Sequence, residues 1–229
     1  MMRKINLLLG IWLAALTVVQ GQSATREFDL RNFEKLSLGS AFVINVKPGL
    51  DYRVVATGEE ADLDVLVARV SGKTLHVNFE RGSRTHDRVT IDIQMPILLG
   101  INLSGASSMN VERFEVSADF RLSVSGASKL VMEIDAPFID ADLSGASRVV
   151  VKGRAQNLRG DLSGASKLEA SGLATQSADI AASGASSATV RASERLDINA
   201  SGASVIRYSG TAKDIRSKTS GGSSVRKAG

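Results

Sequence analysis

Ser104-Gly105-Ala106-Ser107 has the residue types of a nucleophile loop, where a glycine turn presents a serine hydroxyl to a base. The same tetrad returns as Ser125–Ser128, Ser144–Ser147, Ser163–Ser166, Ser183–Ser186 and Ser201–Ser204, and a variant closes the series as Ser220-Gly221-Gly222-Ser223. Catalysis needs one such serine, so repetition assigns the tetrad to architecture. Carboxylates are the next candidates. Asp142 and Asp161 each stand three residues before a tetrad glycine, which places them about 5 Å apart if successive repeats pair as strands. Like charges that close raise one pKa or recruit a cation such as Ca²⁺. With Asp140 they form the candidate metal or catalytic cluster of a polysaccharide-active enzyme. Arg159, one repeat on from Asp140, would neutralise it, and Asp179 and Asp197 continue the column as a solvated charged face.

Lys129, Arg148 and Lys167 each follow a tetrad glycine by three residues. Stacked, they make a basic stripe about 10 Å long, suited to the carboxylates of an acidic glycan or to lipid phosphates. A charged column also simply keeps a β-face in solution. Val131 and Val150, apolar in the neighbouring outward column, would mark a surface for a protein partner. Thiol chemistry is excluded, because the chain has no cysteine. His76 and His86 lie outside the repeats, one on the polar side of a strand pattern and one in a charged loop. No cofactor is expected.

The elements that would position these residues follow from the spacing. The tetrad glycines are Gly105, Gly126, Gly145, Gly164, Gly184, Gly202 and Gly221, at steps of 21, 19, 19, 20, 18 and 19 residues. A period near twenty means stacked units, none able to bury its apolar face alone. Two residues before the glycine stand Leu103, Val124, Leu143 and Leu162; four after it stand Met109, Leu130, Val149 and Leu168. Apolar and polar residues alternate on both sides of the corner, which is the pattern of two strand arms. Two short strands and a return fill each repeat, giving an all-β, right-handed parallel β-helix of about seven coils. The glycines are its structural corners, where only small residues fit.

The repeats occupy residues 99–229. Residues 1–24 read as a signal peptide: Arg3 and Lys4 precede an apolar run from Leu7 to Val19, and Gly21, Ser23 and Ala24 offer cleavage sites. That run is short for a membrane span, so no span is expected in the mature chain. Residues 25–98 show period-two alternation without the tetrad and predict an antiparallel β meander capping the solenoid. Leu36–Ala41 looks like a degenerate corner that joins the same stack, and Glu59–Val70 leaves a short helix open. At the other end Ser217, Thr219 and Lys227 replace aliphatic residues, and lysines and arginines blunt an exposed edge. The formal charge of +4 falls to +2 without Arg3 and Lys4, too little to argue for nucleic acid.

The lead-in Ile93-Gln94-Met95-Pro96-Ile97-Leu98-Leu99-Gly100-Ile101-Asn102 followed by iterated Leu-Ser-Gly-Ala-Ser resembles the bacterial head GIN domain family, whose members are called auto-transporter adhesins. The resemblance spans about residues 30–225. It implies a β-helix-like fold in an envelope or secreted protein and brings no catalytic residues with it. No outer-membrane barrel is expected, since the C-terminal strands are used by the solenoid. The expectation is an exported, non-catalytic module for adhesion or envelope interaction, in the periplasm, on the outer surface or secreted. Its partner would be an acidic glycan or another envelope protein. The alternatives are the Asp-cluster enzyme and a periplasmic structural scaffold.

Overall fold

A computed structural model describes residues 23–80, 82 and 88–228. The predicted signal peptide lies almost wholly outside the described residues, as does His86. The first part of the chain forms β1 (Ser23–Phe28), β2 (Lys35–Leu38), β3 (Val43–Pro48), β4 (Arg53–Glu59), α1 (Glu60–Asp64), β5 (Leu66–Ser71), β6 (Thr74–Phe79) and β7 (Thr90–Met95). The repeats begin with β8 (Gly100–Leu103), β9 (Ser108–Glu115) and β10 (Phe120–Val124). Four long bent strands follow: β11 (Lys129–Leu143), β12 (Arg148–Leu162), β13 (Lys167–Ala182) and β14 (Ser187–Ala200). The last coil and a half is β15 (Val205–Ser209), β16 (Asp214–Thr219) and β17 (Ser224–Lys227).

Each tetrad joins a strand of a leading sheet to a strand of a trailing sheet, and both sheets are parallel through the repeats. The fold is therefore the all-β parallel solenoid that the spacing predicts. The tetrad glycines stack in one column. Their φ angles lie between +66° and +77°, the left-handed region that glycine tolerates. A Cβ on Gly145 would sit 2.7 Å from the carbonyl oxygen of Gly126. The same clash recurs at 2.3–2.8 Å from Gly126 through Gly221, so neighbouring coils leave no room for a side chain there. The ladder does not break at the corner. Ala127, Ala146, Ala165, Ala185 and Ala203 donate their amides to the glycine carbonyls of the coil before, at 2.7–2.8 Å.

Residues 25–98 contribute both kinds of structure expected of them. β1–β4, β4–β7 and β5–β6 pair antiparallel and close one end. The degenerate corner at Leu36–Ala41 enters the stack: β2 lies parallel between β6 and β8, and β3 parallel between β7 and β9. The coil at 35–48 is thus sandwiched between the later coils 74–95 and 100–115. The stretch Glu59–Val70 divides into the short helix α1 and the start of β5.

A single apolar core runs the length of the solenoid, from Phe33 to Ile206. Besides the inward columns read from the sequence, it takes Ile101, Leu122, Ala141, Ile180 and Ile198, four residues before each glycine. The final coil is unlike the rest. All six residues of β16 are exposed, and Ile215, in a core column elsewhere, is 39% exposed.

Candidate functional site

The tetrads separate their two serines. The second serine points inward: Ser107, Ser128, Ser147, Ser166, Ser186 and Ser204 are buried. Five of the six hydroxyls bond at or beside the corner. Ser186 donates to the carbonyl of Ser183 at 2.7 Å and Ser204 to that of Ser201 at 2.8 Å. Ser107 accepts from the amide of Phe42 at 3.2 Å, which ties the first tetrad to the degenerate corner. Ser147 Oγ is the one buried side-chain polar atom among the described residues without a partner. None of these hydroxyls meets a carboxylate or a histidine in the bonds they make. The first serines lie on the outer surface, and Ser144, Ser163, Ser183, Ser201 and Ser220 line one edge of a shallow trough of about 530 Å³.

Asp142 and Asp161 line the same trough, and the ladder sets them in direct register, as the spacing predicts. Burial raises the Asp142 carboxyl above its ordinary value, and the charges of Asp140 and Asp161 add to the rise. Arginines occupy the positions that would turn this cluster into a cation site. Arg159 pairs with Asp161 at 3.0 Å, and Asp140 stands in register between Arg121 and Arg159. Among the described residues no three His, Cys, Asp or Glu side chains are grouped to hold a metal ion.

Lys129, Arg148 and Lys167 stack in register on the outside of the trailing sheet. The sequence reading missed a carboxylate beside them. Glu169 lies one outward column over and takes both Arg148 and Lys167 at 2.7 Å. The hydrogen bond from Lys167 holds its carboxyl below the usual range; burial opposes this, and the charges of Lys167 and Arg148 reinforce it. The column two residues on from the stripe carried that signal, since Glu169 replaces the valines at Val131 and Val150. Those valines are half-buried neighbours in register. Three bases against one carboxylate leave the stripe with net positive charge.

Where the chain turns back from the trailing to the leading sheet, a groove of about 980 Å³ runs along the stack. Asp135 is its electrostatic hub, accepting from Arg113 at 2.7 Å and Arg154 at 2.9 Å. Burial pushes against the Asp135 carboxylate, but the hydrogen bonds from Arg154 and Arg113 prevail and lower its pKa. No spacing rule pointed to this cluster, because its residues sit where repeat length varies.

A stack of parallel coils with inward corner serines and a charged exterior defines a β-solenoid repeat protein. The family model described as "Putative auto-transporter adhesin, head GIN domain" matches residues 32–212, and the chain belongs to that family. Three solved structures share its fold across 91% of this chain. A "putative adhesin" from Bacteroides fragilis NCTC 9343 superposes with a TM-score of 0.84 at 19% identity, over 98% of that chain. A "putative lipid binding protein" from Parabacteroides distasonis ATCC 8503 gives 0.71 at 17% identity, over 98% of that chain. A "putative adhesin" from Parabacteroides merdae ATCC 43184 gives 0.69 at 16% identity, over 97% of that chain. No curated protein matches the chain. No helix of the described residues is long and apolar enough to cross a membrane.

Proposed function

We propose that this protein is an exported, non-catalytic adhesive module of the bacterial envelope, and that it holds an acidic glycan against the trailing sheet. One observation carries the reading: the second serine of each Ser-Gly-Ala-Ser tetrad is buried at the corner and meets no base, so the outward columns are what the repeat offers to a partner. Lys129, Arg148 and Lys167 would meet uronate or sulfate groups, while Val131 and Val150 beside them suit the apolar faces of sugar rings. The signal-peptide pattern of residues 1–24 and the family's adhesin description support location outside the cytoplasm.

The test is retention on immobilised polyuronate and on an uncharged glucan. The wild-type chain should be retained on the first alone, and the triple variant Lys129→Ser, Arg148→Ser, Lys167→Ser should pass through both. Equal retention of wild type and triple variant would end the assignment to this stripe. Capture of an envelope protein in place of either glycan would replace the ligand.

A further inference from the structure

The last described coil carries a basic collar. Residues 205–229 hold Arg207, Lys213, Arg216, Lys218, Arg226 and Lys227 against Asp214 alone, and all six bases are exposed. Of the six, only Arg216 is in an ion pair among the described residues, with Asp214 at 3.3 Å. The ladder distributes these bases around the rod. Arg207 and Arg226 stand in register outside the trailing sheet. Arg216 and Lys218 stand on the leading sheet, in register with Asp197 and Asn199, and Lys213 immediately precedes β16 at the return between the sheets. We propose that this collar docks the end of the rod on an anionic lipid bilayer.

Protection of a strand edge does not account for the single sign. β16 is held only by β14 and β17 only by β15 among the described residues, so both leave a free edge. At the opposite end β1, held by β4, and β5, held by β6, leave free edges too. That end carries both signs, with Arg26 and Arg69 exposed beside Glu27, Glu59 and Glu60. Charge of either sign blunts an edge. A cluster of one sign does something further, because it raises the local concentration of its counter-charge.

The shape of the end selects a bilayer over a linear polyanion. The bases leave from opposite sheets, so a polyanion lying along one face would meet only that sheet's pair. A plane across the end of the rod is within reach of the whole collar, because long stems carry the charged heads past the last strand. Inside the collar the core opens. Ile215 is 39% exposed, and Tyr208 and Val225 are only partly buried. An apolar centre ringed by bases suits the headgroup boundary, where the centre meets acyl chains and the rim meets phosphate. The guanidinium groups of Arg207, Arg216 and Arg226 take phosphate oxygens in pairs. Outer amides of β16 and β17 add donors that no neighbouring strand uses. The stripe of Lys129, Arg148 and Lys167 is separate from this face. Lys167 lies three rungs before Ser224 of the last coil, or about 14 Å, beyond the Debye length of about 10 Å at 0.1 M salt.

The experiment is co-sedimentation of the chain, recovered after expression with its own N-terminal segment, with two kinds of vesicle. One is phosphatidylcholine alone, and the other is equal parts phosphatidylcholine and phosphatidylglycerol. The expected result is binding to the second alone, released between about 0.1 M and about 1 M NaCl as the Debye length falls to about 3 Å. Lys213→Ser with Lys218→Ser and Arg226→Ser should lower the binding constant about a hundredfold, each base at an anionic surface being worth about fivefold. Lys213→Arg with Lys218→Arg and Arg226→Lys should bind as the wild type does, and unchanged β circular-dichroism spectra in both separate charge from folding. Lys129→Ser with Arg148→Ser and Lys167→Ser should also bind vesicles as the wild type does, so the result stands whatever the polyuronate column shows. Failure of the wild type to bind anionic vesicles overturns the proposal. Equal binding to both kinds of vesicle, or equal binding by the wild type and the Lys213/Lys218/Arg226 serine variant, overturns it as well.

Discussion

Replacing Gly145 with alanine tests the corner column in the middle of the stack. Gly145 has φ +70°, and a Cβ there would stand 2.7 Å from the carbonyl oxygen of Gly126 and 3.0 Å from its nitrogen. Three effects set the size of the change. An L-residue in the left-handed region costs about 1–2 kcal/mol. Forcing a methyl group against backbone that is itself hydrogen-bonded costs a further ~1–3 kcal/mol. Loss of glycine's freedom in the unfolded chain returns about 0.4–1 kcal/mol. The net loss is about 2–4 kcal/mol, or on the order of 10 °C in midpoint for a chain of this size. Gly72 provides the control: its φ is +54°, but a Cβ there meets nothing within 4 Å, so Gly72→Ala should lose at most about 1.6 kcal/mol. Urea denaturation of the two variants, followed by circular dichroism, gives the comparison. If Gly145→Ala is no less stable than Gly72→Ala, the coils are not in the close contact on which the whole account of the tetrad depends.

The buried serines give a second contrast. Ser186→Ala removes a 2.7 Å bond and should cost about 1 kcal/mol, whereas Ser147→Ala removes an unpartnered hydroxyl and should be neutral or stabilising; equal losses in urea titrations would contradict the geometry. Two aspartates should respond to pH with opposite signs. Asp135 has a lowered folded pKa, so its contribution favours the fold above its ordinary value of 3.8 and is lost as pH falls through the folded value. Asp142 has a raised one, so its charge opposes the fold above that raised value, and the penalty vanishes below 3.8. Thermal melts should therefore show Asp135→Asn less stable and Asp142→Asn more stable than wild type at pH 7, both gaps narrowing in acid. The same sign for both variants at pH 7 would refute the assignment.

Much of the solenoid was legible because its core columns repeat. Leu103, Val124 and Leu143 fall at one offset from the glycine, and a side chain alternates sides every residue of a strand, so offsets translate directly into inside and outside. The register of Asp142 with Asp161 and of Lys129 with Arg148 followed from the same arithmetic. Arg159 was legible as a charge against Asp140, but its bond to Asp161 was not, nor was the place of Glu169 between Arg148 and Lys167; both act across columns, through long side chains whose reach a count of residues does not give. The inward turn of the second serine was also hidden, because a polar residue at an inward offset reads as an exception until the corner's own carbonyls are seen to satisfy it. The placement of coil 35–48 between two later coils had no sequence signal at all. Its corner lacks the tetrad, and nothing in a linear pattern says which free face a later strand will choose.

The unequal repeats carry a consequence of their own. Coils of 19 and 19 residues pair from β11 to β12 without irregularity, whereas a 21 beside a 19, a 19 beside a 20 and a 20 beside an 18 each produce a bulge. Every one of those irregularities falls after the trailing strand has left the tetrad, at Met132/Ile134, Val150/Lys152, Ala170/Thr175 and Thr175/Ser177. The glycine edge is therefore the fixed spine of the rod, and the opposite edge is its margin for error. Insertions and deletions can accumulate along that margin without disturbing a single corner, so the molecule can reshape one side while the other keeps count.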